Sequence, residues 1–353
     1  MPILLRWSVT QAVVAALLIS PARAETQCLR QPLALHFENA SDNRSELSGV
    51  ALAGGKLIAV SNEGLGDHER SFVAQVFEGN PETGYSHSHD EVIHEPDGDC
   101  KEADFEALAQ DGETLFAIGS HSYDRKKQNE NKPHEENFRR LTAAGISACK
   151  ARDKLRKFRL TGGENVETLQ KTSLRGMIDA HPVLQRFADI PDKENGVDIE
   201  GLAVFAGSLY VGFRGPVLRE NYVPVLRLPT DLDQIAPTDR GDDVLFVNLG
   251  GRGIRDLAPG PSDKNALYVL AGPNGDEKQS FAVFRWDGKD QLGGDGHKPG
   301  SPELLCEIEL PKDNPKGYKP EGLAYLDTRG GEMRFVLVYD GKAPLKAELL
   351  TLK

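Results

Sequence analysis

Acidic residues recur in this chain at a spacing of two, just ahead of short apolar runs. The doublets are Asp104-x-Glu106 and Asp198-x-Glu200, with Glu46 and Glu321 in matching contexts. Side chains two apart on a strand point the same way, so each doublet presents paired carboxylates. Several carboxylates in a partly buried place cannot all stay ionised without a counter-charge. A hard cation such as calcium, which takes roughly six to eight oxygen ligands, is one candidate, with Glu106, Asp198 and Glu200 as the expected metal ligands. The basic residues Arg214 and Arg255 are a second source of positive charge, and protons a third. Asn62, Glu63, Asp104, Arg214 and Glu321 complete the expected ligand-binding set.

Residues that break the pattern are the candidates for catalysis: His121, Arg214, Arg255 and Asp340. In a metal-assisted hydrolase of an ester, lactone or phosphoester, the metal would polarise the bond and activate water. His121 or a carboxylate would be the base, and the two arginines would hold an anion. The competing expectation is a non-catalytic protein that binds a small ligand or a protein partner. Each residue also has a plain structural reading. Repeated carboxylates can cap backbone N–H groups, Arg214 can neutralise Asp198 or Glu200, and His121 can be a surface histidine. No G-x-S-x-G elbow, H-E-x-x-H or P-loop occurs. His87, His89, Asp90 and His94 cluster at a position the pattern predicts to be a solvated turn.

The elements that would position these residues form a repeat. Five segments share a polar start, a short G-L-A-like strand, a turn and an apolar strand. They begin at Ser48, Glu106, Glu200, Arg255 and Glu321, spaced by 58, 94, 55 and 66 residues. A second apolar hairpin follows each pair, as at 223–228 with 243–248 and at 281–286 with 304–310. Four short strands per unit with glycine-rich turns predict an all-β, five-bladed propeller. A six-bladed form, with the long gap as the extra blade, is the alternative. The gap, about 125–190, is instead basic and polar at 125–132 and shows helical spacing at Leu174, Met177, Ile178 and Leu184. It predicts a short helical insertion in blade two. Residues at the first-strand entrance and the second-strand exit (Asn62, Ser120, Arg214, Gly272 and Tyr339, then Glu63, His121 and Asp340) should meet at one mouth of the central channel.

The segment 29–37 has no unit of its own and is expected to supply the last strand of the last blade. Before it, Arg6, the apolar run 12–19 and Ala22-Arg23-Ala24 fit a secretory leader over residues 1–24. The chain is therefore expected to be periplasmic or secreted, with residues 25–353 as one propeller domain. Four cysteines in an exported chain suggest two disulfides with three possible pairings, of which Cys100–Cys149 is favoured by position beside blade two. A net charge of −12 excludes the basic stripe a nucleic-acid partner needs. No segment beyond the leader is apolar and long enough to span a membrane, and a monomer is expected.

Val197-Asp-Ile-Glu-Gly-Leu-Ala203, Gly212-Phe-Arg-Gly-Pro216, Gly250-Gly-Arg-Gly-Ile-Arg-Asp-Leu257 and Lys319-Pro-Glu-Gly-Leu-Ala324 together resemble the bacterial domain-of-unknown-function 3616 family. The likeness covers nearly all the chain after the leader. It implies an exported propeller and no particular activity. The E-G-L-A signature is also similar to that of other propellers, including the esterase-like phytase group.

Overall fold

The computed structural model describes residues 28–37, 46–61, 72–94, 104–237, 243–261, 265–275, 279–294, 296, 299–310, 319–341 and 346–353. The expected leader, Asn62, Glu63 and Cys100 lie outside these residues. The chain enters through β1 (Cys28–Leu33) and β2 (Leu35–His36). Blade one is β3 (Leu47–Ala53), β4 (Lys56–Ser61), β5 (Phe72–Asn80) and β6 (Gly84–His94). Blade two opens with β7 (Phe105–Asp111) and β8 (Thr114–Gly119). An insertion follows, carrying β9 (Tyr123–Arg125), α1 (His134–Leu141) and β10 (Ile146–Ala148). The blade then resumes with β11 (Leu155–Arg159) and β12 (Glu167–Thr172), and α2 (Arg175–Ala180) leads on to blade three.

Blade three is β13 (Asp198–Phe205), β14 (Ser208–Gly215), β15 (Tyr222–Pro229) and β16 (Val244–Asn248). Blade four is β17 (Gly253–Pro259), β18 (Leu267–Gly272), β19 (Phe281–Trp286) and β20 (Glu303–Ile308). Blade five holds β21 (Lys319–Arg329), β22 (Glu332–Asp340) and β23 (Ala347–Leu352), and β1 closes it as fourth strand. The first strands touch in a closed cycle: β3 meets β7 and β21, β13 meets β7 and β17, and β17 meets β21. Five blades are therefore all the ring holds, and the long gap adds no sixth.

The strands fold this way because the first two of each blade are apolar on both faces. Leu57–Val60, Leu115–Ile118, Leu209–Val211 and Leu267–Ala271 are all buried. The core lies between blades. Phe72, Phe105 and Phe158 pack between blades one and two, while Tyr268, Phe335 and Leu350 pack between four and five. The β3–β4 hairpin turns on Gly54 and Gly55, whose φ of 58° and 78° are left-handed values that cost glycine nothing.

The closure expected of segment 29–37 is observed. Cys28–Leu33 pairs antiparallel with β23, from Cys28 opposite Leu352 to Leu33 opposite Ala347. Leu35–His36 then pairs with β6 of blade one, so the entering segment bridges the first and last blades. A disulfide joins Cys28 to Cys306 on β20, with Cα atoms 5.8 Å apart. Cys149 is also disulfide-bonded; its expected partner Cys100 lies outside the described residues.

Two local expectations need correction. The helical spacing at 174–184 does give α2 and a following turn, with Leu174, Met177, Ile178 and Leu184 buried. The gap also carries α1, which buries no residue and so had no apolar periodicity to announce it. The histidine cluster is not on a turn: His87, His89, Asp90 and His94 all lie in β6. A β-bulge at Ser88 lets that strand continue through a polar stretch. Among the described residues no helix is long and apolar enough to cross a membrane.

Candidate functional site at the channel mouth

Each blade delivers one side chain to the mouth by the same device. In all five first strands the pairing with the second strand slips by one residue. Ser48, Glu106, Glu200, Arg255 and Glu321 are the residues left unpaired. A bulge bends the strand and re-aims the extra side chain. On the opposing strand of blade three the register skips Arg214 as well. The glycine that follows the bulge is required by close packing. A Cβ on Gly49 would lie 2.8 Å from Ala107 Cα, one on Gly201 2.7 Å from Ile254 Cγ2, and one on Gly322 2.6 Å from Val338 Cγ2. Blade two has Ala107 there, and blade four has Asp256. Its carboxylate accepts from the N–H groups of Leu257 (2.8 Å) and Leu323 (2.7 Å), the latter on blade five.

The ring is stitched by two arginines. The Arg214 guanidinium lies 2.5 Å from Glu200 Oε1, 3.1 Å from Asp192 Oδ2 and against Asp198. Arg255 Nε is 2.9 Å from Glu200 Oε2, and its far end meets Glu321. Glu200 thus sits between two guanidiniums, and the pairs link blades three, four and five. Burial works against the Arg214 charge, but Asp198, Glu200 and Asp192 outweigh it and hold the guanidinium more firmly charged than usual. Ser48 donates to the carbonyls of Val60 and Phe105, which ties blade one to blade two. Asp104 accepts from Ser120 Oγ at 2.6 Å and lies 3.4 Å from Arg152 Nε.

Glu106 is the exception. Among the described residues it has neither an ion pair nor a hydrogen bond. Burial pushes its carboxyl well above the usual range, and Asp104, Glu200, Glu321 and Asp198 push it the same way. Among the described residues the mouth is acidic. Glu106, Asp192, Asp198, Glu200, Glu321 and Asp340 stand against Lys193, Arg214, Arg255 and Lys319, two more acids than bases. Burial also raises Asp340 and lowers Lys319, which pair in register at the ends of β22 and β21.

His121 is at the mouth end of blade two, fully buried, with both ring nitrogens occupied. Nδ1 donates to the Gly119 carbonyl at 2.8 Å, and Nε2 accepts the Leu174 N–H at 3.0 Å. Burial pushes it down to about 4, so it is neutral. Its geometry fastens the start of α2 to blade two. Beneath the ring, Val50, Leu108, Leu202, Leu257 and Leu323 form an apolar layer, one residue per blade, each at most 2 % exposed. They also line a cavity of about 240 Å³ toward the far face. The mouth is therefore a basin with an apolar floor.

The structure brings together Asp104, Glu106, Asp198, Glu200, Arg214, Arg255, Glu321 and Asp340. His121 is held apart by its backbone partners, and Asn62 and Glu63 lie outside the described residues. Among the described residues no group of three or more His, Cys, Asp or Glu side chains is arranged to hold a metal ion. Sequence reasoning missed Asp192, the third carboxylate on Arg214, because it belongs to the irregular segment before β13 and follows no repeat.

The mouth gives a pH prediction. Burial, opposed by Arg255 and reinforced by Asp340 and Glu200, pushes Glu321 up to about 7 from an ordinary 4.5. The folded chain then holds this proton more tightly than the unfolded chain. The stability tied to it is full below the unfolded value and is lost as pH rises through about 7. The melting temperature of Glu321→Gln should therefore rise relative to that of the unmodified protein between about pH 5 and pH 8. A melting difference that moved the other way across that interval would overturn this assignment.

Fold and site together define a five-bladed propeller with an ion-paired, acidic channel mouth. The chain belongs to the family described as protein of unknown function (DUF3616), which it matches over residues 46–173 and 144–348. No curated protein matches it. Among solved structures it is similar to a mannose phosphorylase from Leishmania mexicana in complex with phosphate ion. That match has 11 % identity and a TM-score of 0.43, covering 92 % of this chain and 88 % of that one. It is also similar to an exo-1,5-alpha-L-arabinanase from a bovine ruminal metagenomic library, at 11 % identity and TM-score 0.42, covering 87 % and 91 %. A glycosyl hydrolase from Bacteroides ovatus matches at 12 % identity and TM-score 0.40, covering 87 % and 83 %. Likenesses this distant carry no argument about activity.

Proposed function

We propose that the protein is an exported binding propeller whose channel mouth takes a small cationic ligand, an organic ammonium group in contact with Glu106. The observation that supports this is the isolation of Glu106. Glu200 and Glu321 each touch a guanidinium, whereas Glu106 is buried among acids and feels Arg214 only without contact. An ammonium group needs only a few acceptors, so one free carboxylate with acidic neighbours suits it. Calcium asks for a larger oxygen set than any cluster among the described residues offers. The two arginines are already paired with carboxylates, which disfavours the anion-holding role a phosphoester hydrolase would give them. Export is supported by the disulfides, which persist in oxidising compartments.

Burial and the neighbouring acids favour the protonated form of Glu106, so an ammonium that binds its carboxylate is expected to release a proton. Titration with putrescine in a calorimeter should show binding with proton release, tightening as pH rises, and lost in Glu106→Gln. Equal binding by the variant, or none by the unmodified protein, would sink the proposal. Calcium binding that disappears in Glu106→Gln, with no response to putrescine, would replace it with the metal-assisted reading.

A further inference from the structure

A second site lies between blades one and two on the face away from the mouth. A cleft of about 390 Å³ opens there, within the usual range of small-molecule sites. Its floor is apolar: Val76 and Leu115 are fully buried, with Leu160 beside them. Its rim carries Lys56, Arg159 and His89.

The wall at His89 is built, not incidental. The β5–β6 register passes from Val76 opposite His89 to Phe77 opposite His87, leaving Ser88 as the unpaired residue of a bulge. His89 Nδ1 lies 3.2 Å from Ser88 Oγ, and Nε2 lies 3.2 Å from Glu91 Oε1. The Glu91 side chain is 0 % exposed. It also accepts from Thr161 N (2.7 Å), Thr161 Oγ1 (3.2 Å) and Gly162 N (2.8 Å) on the neighbouring blade. Its negative charge is thus directed at four donors, which weakens its repulsion of an anion in the cleft.

The two rim cations are differently placed. Lys56 pairs with Glu78 at 2.8 Å and Arg159 with Glu167 at 3.5 Å, but both pairs are on the surface, with side chains 40–57 % exposed. Exposed pairs of this kind are weak, so both cations are free to turn to a ligand. Glu113 is the one other acid on the lining.

We propose that this inter-blade cleft binds a small organic acid, one carboxylate on a compact apolar body. The carboxylate meets Arg159 and Lys56, and the body lies on Val76, Leu115 and Leu160 against the His89 ring. The chemistry is opposite to that of the mouth, and the two sites lie at opposite ends of the first strands.

The test uses 3-phenylpropionate and its neutral counterpart 3-phenylpropanol, followed by NMR shifts and calorimetry on the full mature chain. The acid should bind at about millimolar or tighter, the range expected of a ligand this size. The alcohol should bind at least ~10-fold more weakly, since it forgoes the charge-assisted pair. Arg159→Gln and Lys56→Gln, both at exposed positions, should each cost about 3- to 10-fold in affinity for the acid and leave melting unchanged. Glu113→Trp, which fills the rim from an exposed position, should block both compounds. Equal affinity for acid and alcohol, acid binding indifferent to all three variants, or no saturable binding by ~10 mM would each overturn the proposal.

Discussion

Replacing Arg214 with alanine is expected to destabilise the protein by about 3–5 kcal/mol, the range seen when one partner of a buried ion pair is removed. The reason is specific to the mouth. Asp192, Asp198 and Glu200 all lean on this one guanidinium, and its side chain is 6 % exposed. Without it, three acids share a basin that already has more acids than bases, next to Glu106, which has no partner among the described residues. They must then take up protons or admit water. For a domain of this size the loss corresponds to a fall in melting temperature of roughly 4–8 °C. Arg214→Lys should lie between, because an ammonium is a point charge and cannot meet three carboxylates with a planar fork. Chelators should leave the melting temperature of the unmodified protein unchanged, since the counter-charge is internal. Thermal unfolding of the two variants with and without chelator checks this. An Arg214→Ala protein that melted like the parent would mean that the carboxylates are already neutral or solvated.

The second large effect concerns closure. Deleting residues through Leu33 should remove most of the cooperative stability and leave the protein prone to association. β23 would lose its outer partner along its whole length and present an open edge. The disulfide contribution separates from the pairing in Cys28→Ser/Cys306→Ser, which keeps the strand and removes the bond. Its cysteines are 278 residues apart. In the chain-entropy view a loop this long is worth roughly 5 kcal/mol at most. Chemical denaturation should place the double-serine variant between the parent and the truncated chain. If the truncated protein unfolded at the parent's midpoint, β1 would be ornamental and the closure account wrong.

The repeat was legible because it is written in residue types that serve the frame. The glycine after each bulge, or its substitute, is there for blade-to-blade approach, and the apolar run after it is there for burial. The glycine recurs in three blades and the apolar run in all five, so the blade count and the closing role of the entering segment could be read without a structure. The charge network was half legible. The spacing-two doublets pointed to the mouth, and Arg214 and Arg255 stood out by breaking the column. What the doublets could not show is the bulge, which makes Glu106 and Glu200 the aimed residues and leaves Asp104 to pair with Ser120 and Arg152. His121 had the right position for a base, but the chain folds back to spend both its nitrogens on backbone groups. Asp192 carried no signal, because irregular segments have no period. The Cys28–Cys306 pairing joins the entering strand, at the edge of blade five, to the edge strand of blade four, a proximity that exists only once the circle has closed.

The five bulges have a consequence for how such a protein can change. Because the aimed residue has no cross-strand pairing partner, its identity is not bound to the hydrogen-bond ladder that holds the blade. Serine, glutamate and arginine already occupy equivalent places in one chain. The mouth therefore behaves as a five-position dial set on a fixed housing. Ligand preference at this mouth can therefore change by substitutions that leave the strand ladder intact, provided the ion pairs that cross from blade to blade stay balanced.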